Sequence, residues 1–202
     1  MVFLEVILAG ERLKKMRIIS GNFKNKKLNF PKNFKTRPLK DRVRENIFNI
    51  IEHSNKIDVR VKNSQILDLY AGVGSFGLEC ISRGAKKIFF VENDKDALIN
   101  LKTNVGLLKV EQQTEIFSIN IINFFKNLKS LDKFDIVFLD PPYKNNHFYN
   151  FLEILDKKKI LNKRHVVLLH RDKNSNKDDV KKFNVVENKI YGRSEIFFLK
   201  LF

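Results

Sequence analysis

From residue 64 onward the chain alternates short apolar runs with helix-compatible stretches, and this rhythm constrains its fold more than any other feature. The runs are Gln65–Tyr70, Lys87–Val91, Thr114–Phe117, Phe134–Leu139 and His165–Leu169. Between most of them lie segments suited to begin helices near Ser75, Asp94, Asn120 and His147. Strands that are apolar along nearly their whole length must be covered on both faces, and helical crossovers supply that cover in a parallel sheet. Two further strands, about 182–190 and 194–201, follow each other through Tyr191-Gly192-Arg193. So tight a connection makes that pair antiparallel. The expected fold is α/β, a mostly parallel sheet finished by an antiparallel strand.

The first apolar run opens into Asp68-Leu69-Tyr70-Ala71-Gly72-Val73-Gly74-Ser75-Phe76-Gly77, and Glu92 ends the second. Glycines after a strand let the backbone approach a ligand closely, and an acid at the end of the next strand accepts hydrogen bonds from ribose hydroxyls. Both needs belong to any adenosine cofactor, so a nicotinamide dinucleotide and S-adenosylmethionine compete here. Asp68 favours the second: an acid ahead of the loop serves a cationic amino-acid end, whereas it would repel a pyrophosphate. Asn93 or Asp94 is placed to complete the adenosine pocket.

Asp140-Pro141-Pro142-Tyr143 follows the fourth run, at a strand's carboxyl end, where open α/β sheets bind ligands. An exocyclic amino nitrogen on a base is a poor nucleophile, because its lone pair is delocalised into the ring. A carboxylate accepting one N–H and a main-chain carbonyl accepting the other would favour the pyramidal nitrogen of a transition state. The prolines fix the chain so that a carbonyl, that of Pro141, points outward. Tyr143 offers a face on which a base stacks. No metal is expected: His147 and His170 lack clustered partners and are read as surface or strand-end histidines.

The net charge of +16 points to a polyanion. Its distribution is more telling. Residues 12–44 carry thirteen Lys and Arg against one acid, Asp41, a balance of +12. Two short strands, Arg17–Ser20 and Lys27–Phe30, are expected to form a hairpin around Gly21-Asn22, exposing Lys24, Lys26 and Lys27. After Thr36-Arg37-Pro38 a helix is expected from near Lys40, with Val43, Ile47, Ile50 and Ile51 inward. Residues 1–15 read as an extension outside the functional fold, residues 16–45 as the RNA-contacting segment, and residues 46–202 as the catalytic domain. The single cysteine, Cys80, excludes an intrachain disulfide and a multi-cysteine zinc site, and is expected on a helix facing the core. A lone cysteine fits a reducing cytoplasm, which is the expected compartment, and no apolar run reaches the roughly 18 residues of a membrane span.

These motifs together resemble the RsmD family, bacterial methyltransferases of guanine N2 in 16S ribosomal RNA. The resemblance runs from Met16 to the C-terminus. It rests on Met16-Arg17-Ile18-Ile19-Ser20-Gly21, on Thr36-Arg37-Pro38 with Asp41-Arg42-Val43-Arg44-Glu45, on Asp68–Glu79, on Asp140–Tyr143 and on Tyr191-Gly192. It implies a Rossmann-like class I fold of seven strands, S-adenosylmethionine as donor, and an RNA substrate within an assembled or assembling 30S particle, with ribosomal proteins helping to form the docking surface. A monomer is expected. Residue by residue, it implies cofactor contacts at Asp68, Ala71, Gly72, Gly74, Glu92 and Asn93, and a target-base site at Asp140, Pro141, Pro142 and Tyr143. Asn120 stands where many relatives place an adenine-holding Asp, and its amide oxygen is also an acceptor. Arg37, Arg42 and Arg44 are implied RNA contacts, with salt bridging on a helix surface as the alternative reading.

Three other classes share parts of this pattern. A DNA (N6-adenine) methyltransferase needs an added target-recognition region, for which little chain is spare. A protein-glutamine methyltransferase typically carries Asn in place of Asp140. A nicotinamide oxidoreductase, like a non-catalytic RNA chaperone, has no use for residues 140–143.

Overall fold

The computed structural model describes residues 16–31, 39–128, 133–142, 148–175 and 180–202. The alternation read from the sequence folds into one sheet of seven strands: β1 (Gln65–Leu69), β2 (Lys87–Val91), β3 (Thr114–Phe117), β4 (Phe134–Leu139), β5 (Leu161–Asp172), β6 (Asn184–Tyr191) and β7 (Ser194–Lys200). Their order is β3-β2-β1-β4-β5-β7-β6. The first five run parallel, and β7 enters antiparallel between β5 and β6. Burial explains why the last strand takes the inner place. Ile196–Leu199 of β7 are buried in succession and need neighbours on every side, whereas β6 is largely exposed and tolerates an edge. This is the Rossmann-like class I sheet expected from the sequence.

Among the described residues five α-helices flank the sheet: α1 (Asp41–His53), α2 (Ser75–Ser82), α3 (Lys95–Leu108), α4 (Ile121–Asn127) and α5 (Phe148–Lys157). Alternate strand residues serve two cores. Ile66, Ile136, Phe138, Val166, Leu168 and Phe198 pack with residues of α1, α2 and α3. Leu67, Leu69, Val137, Leu139, Val167 and Leu169 pack with α4 and α5. On the first side Phe76 stacks between Phe48 and Phe138, at centroid distances of 5.3 and 4.1 Å. Cys80 lies buried in α2, as expected. None of the described helices is long and apolar enough to cross a membrane.

The N-terminal hairpin is a correction. Neither expected strand forms; the two arms are joined by one antiparallel bridge, Arg17 with Lys27, flanked by hydrogen bonds from the Leu28 N–H to the Met16 carbonyl and from the Ile18 N–H to the Lys26 carbonyl, each at 2.9 Å. Beyond that bridge the donors turn to α2. Ile19 and Ser20 donate their N–H groups to the Glu79 carboxylate at 2.7 and 2.9 Å. Asn22 donates to the Ser82 carbonyl and Phe23 to its hydroxyl, at 2.8 and 2.9 Å. Gly21 is what permits this approach: with φ +80°, a Cβ there would lie 1.9 Å from the Ser82 carbonyl oxygen. Met16, Ile18 and Leu28 are buried in the same core as α1 and α2, so the basic segment is built into the body. The division drawn between residues 45 and 46 falls inside α1.

Candidate active site

Strand order reverses at β1, whose neighbours are β2 on one side and β4 on the other. Crevices at such a switch point bind ligands beyond the carboxyl ends of the strands. The register brings two of the predicted residues there, with Tyr70 between them. Leu69 pairs with Val91 and with Leu139, so Tyr70, Glu92 and Asp140 follow side by side on β1, β2 and β4.

The glycine loop begins with backbone of the left-handed kind: Tyr70 (φ 60°), Gly72 (φ 56°) and Gly74 (φ 82°). For a bulky residue such as Tyr70 this conformation costs on the order of 1–3 kcal/mol and persists only where its surroundings impose it. Gly77 serves packing. A Cβ there would come within 2.3 Å of the Phe90 ring, so its absence lets α2 lie against β2. Glu92 organises the loop from the neighbouring strand. Its Oε2 accepts from the Gly72 N–H at 2.7 Å, and its Oε1 accepts from the Asn93 and Asp94 N–H groups at 2.8 Å. A carboxylate has about four lone-pair positions, so capacity remains for a ligand hydroxyl.

Asp68 lies beneath the loop, 1% exposed, with Oδ2 accepting the Gly77 N–H at 3.0 Å. Burial, opposed by that hydrogen bond and reinforced by the charges of Asp140 and Glu92, pushes its carboxyl up to about 8. An enclosed acid crowded by Asp140 and Glu92 suits a neighbouring sulfonium or ammonium group better than a pyrophosphate, which is the fit that S-adenosylmethionine requires.

A cleft of about 210 Å³ opens beside Glu92, lined by Tyr70, Val91, Glu92, Asn93, Asn120 and Phe151 with Ile119, Ile121 and Ile122. Apolar walls with one carboxylate on the rim suit an adenosine moiety. Asn120 does line the cleft, but its Oδ1 caps α4 by accepting the Asn123 N–H at 2.9 Å. Asp94 is likewise the cap of α3, accepting from Ala97, which leaves Asn93 as the cleft residue of that pair. Ala71 is buried, its N–H held by the Val91 carbonyl. Tyr70 was absent from the sequence-derived site. Its signal was a large side chain at the strand-to-loop junction.

In the tetrapeptide expected to be the reaction centre, Asp140 keeps 29% of its side chain exposed. Pro141 is buried and Pro142 exposed, while Tyr143 and His147 lie outside the described residues. His170 corrects the surface reading: it is 3% exposed, and its Nδ1 is 2.7 Å from Asp140 Oδ1. Among the described residues no cluster of three or more His, Cys, Asp or Glu could hold a metal ion.

The basic residues divide. Lys24, Lys26, Lys27 and Arg42 are exposed, and Arg37 lies outside the described residues. Arg44 is the second correction, because its side chain is fully buried and unable to reach a phosphate. It donates to the Arg17 carbonyl at 2.6 Å and to Asp41 at 3.2 Å, with Glu79 at 4.0 Å. It lies on the inward face of α1 with Val43 and Ile47.

Comparison with known proteins agrees with this geometry. Residues 16–200 match the family model described as conserved hypothetical protein 95. A Buchnera aphidicola protein called ribosomal RNA small subunit methyltransferase D is 30% identical over 91% of this chain and 92% of its own. Its Haemophilus influenzae namesake is 38% identical over 65% of each chain. A solved Haemophilus influenzae structure superposes with a TM-score of 0.72 at 28% identity, covering 93% of this chain and 98% of that one.

Proposed function

This chain belongs to the conserved hypothetical protein 95 family, the RsmD methyltransferases, and on that premise we propose that it methylates the N2 amino group of a guanine in 16S ribosomal RNA of the 30S subunit, with S-adenosylmethionine as donor. The observation that carries the reading is the meeting of Asp140 with the glycine loop and Glu92 at one switch point. In this reading residues 16–45 contact RNA, residues 46–202 form the catalytic body, and the protein works as a cytoplasmic monomer.

When bound, S-adenosylmethionine supplies an electrophilic methyl group, its carbon–sulfur electron pair remaining on sulfur as the amino nitrogen bonds to carbon. Everything else is positional. Glu92, Asn93 and the apolar cleft hold the adenosine end, and Asp68 beneath the loop offsets positive charge. Asp140 accepts one N–H of the target amino group, so the nitrogen lone pair localises toward the methyl carbon. After transfer the nitrogen is cationic and loses its proton to Asp140 or to water. The prolines hold the main chain for a second acceptor, and Tyr143 stacks on the base. Exposed Lys24, Lys26, Lys27 and Arg42, with Arg37, engage phosphates.

The test is incubation of labelled S-adenosylmethionine, in separate reactions, with 30S particles, naked ribosomal RNA, DNA and a release factor. Guanine-N2 label in 30S particles is expected; label only on DNA or protein overturns the assignment. Asp140→Ala is expected to bind cofactor normally while turnover falls by about 10²-fold or more.

A further inference from the structure

His170 is not part of any motif in the sequence, yet its Nδ1 lies 2.7 Å from Asp140 Oδ1. The contact follows from register. Leu139 of β4 pairs with Leu169 of β5, so the next residue on each strand is Asp140 and His170. The imidazole is enclosed, 3% exposed, whereas the carboxylate it meets faces the crevice. The buried partner therefore holds the accessible one.

Resting on the methyltransferase reading, we propose that His170 is a positioning residue that locks the Asp140 carboxylate for the target amino group. An ionised carboxylate only accepts hydrogen bonds, so Nδ1 carries the proton and donates it to Oδ1. The terminal torsion of an aspartate is broad and soft, and a carboxylate at a crevice turns freely unless something fixes it. With Oδ1 committed to a side chain embedded in β5, Oδ2 is the oxygen presented to the substrate N–H. The same bond steadies a negative charge that stands close enough to Asp68 to act on it. A small misplacement of one acceptor is expensive, since the in-line geometry at nitrogen depends on it.

The decisive variants are His170→Leu, which removes the donor, and His170→Asn, whose side-chain N–H reaches about where Nδ1–H does. His170→Leu is expected to lower kcat on 30S particles by about 10–100-fold. Its KM for the particle and its calorimetric cofactor affinity stay within about twofold, and His170→Asn recovers most of the lost kcat. A leucine variant with parental kcat overturns the proposal, as does an asparagine variant no better than leucine, or a loss confined to KM. Nitrogen-15 NMR of the parent protein, which needs no substrate, is expected to show His170 protonated on Nδ1 and to lose that signature's Asp140 dependence in Asp140→Ala. An unprotonated Nδ1 overturns the proposal even if 30S particles are methylated. Absence of RNA methylation by the parent, with Nδ1 protonated, instead overturns the assigned substrate.

Discussion

Asn104 and Asn29 are joined by a reciprocal pair of hydrogen bonds: the Asn29 N–H donates to Asn104 Oδ1 at 2.7 Å, and Asn104 Nδ2 donates to the Asn29 carbonyl at 3.1 Å. The same Nδ2 donates to the Val73 carbonyl inside the glycine loop at 3.1 Å. One buried amide on α3 therefore ties the basic segment to the cofactor loop.

Replacing Asn104 with Leu leaves three backbone groups without this partner, the Val73 carbonyl among them in the interior. The expected loss is about 2–3 kcal/mol, or a fall in Tm of roughly 4–10 °C. Trypsin should cleave at Lys24, Lys26 or Lys27 faster than in the parent, and cofactor affinity should fall as the loop loosens. Calorimetry and timed proteolysis check both; an unchanged Tm with parental cleavage rates would falsify the tie.

Asp68 places a penalty on the folded chain as pH rises. Its folded-state carboxyl is raised to about 8 from an ordinary 3.8, so the folded chain binds the proton more tightly than the unfolded chain. The sign follows: this contribution is fully present below pH 4 and is lost as pH climbs toward 8. Asp68→Asn keeps an acceptor for Gly77 and abolishes the ionisation. At pH 8 the variant should melt about 2–4 °C or more above the parent, the gap closing toward pH 4. Added S-adenosylmethionine should stabilise the variant less than the parent.

His165 gives the opposite limb. It is buried, its Nδ1 directed at the Asn162 carbonyl and its Nε2 accepting the Leu201 N–H at 3.1 Å. Burial lowers its pKa, because the charged form is poorly solvated there. The unfolded chain then takes up the proton first, so stability falls as pH drops below about 6.5. The Leu201 amide should lose exchange protection ahead of the sheet in that range, and His165→Gln should flatten the acid limb of the Tm profile. A parallel fall in both proteins would assign the limb to other groups.

Lys24, Lys26 and Lys27 are exposed on the turn that α2 holds in place. Changing all three to Gln should weaken binding to 30S particles and reduce the slope of log affinity against log salt by about 2–3. Circular dichroism should show an unaltered fold. An unchanged slope would mean the lysines face solvent in the complex.

Much of this protein is readable along the chain because its signals are local. The apolar runs fall on β1 to β5 within a residue or two at most ends, although β5 extends further both ways, from Leu161 to Asp172. The helix starts near Ser75, Asp94 and Asn120 are real because two of those residues are caps, a preference carried by a side chain three residues from its partner. The N-terminal hairpin stops at a single bridge for the converse reason. Arg17–Phe30 has the alternation of paired strands, but Glu79 and Ser82, about sixty positions away, take the N–H groups of Ile19, Ser20, Asn22 and Phe23.

By itself, then, the sequence determined the alternation of strand and helix, the glycine loop with its two acids, and Asp140-Pro141-Pro142 at a strand end. Each depends on residues within a few positions of one another, where periodicity and backbone preference act. Only the tertiary structure decided that β7 lies inside β6, that Arg44 is enclosed, that Asn104 binds the basic segment to the loop, and that His170 holds Asp140. The last three of these pairings cross 27 to 75 residues of chain. They arise from strand register and from buried polar groups that must find a partner wherever folding brings one within reach.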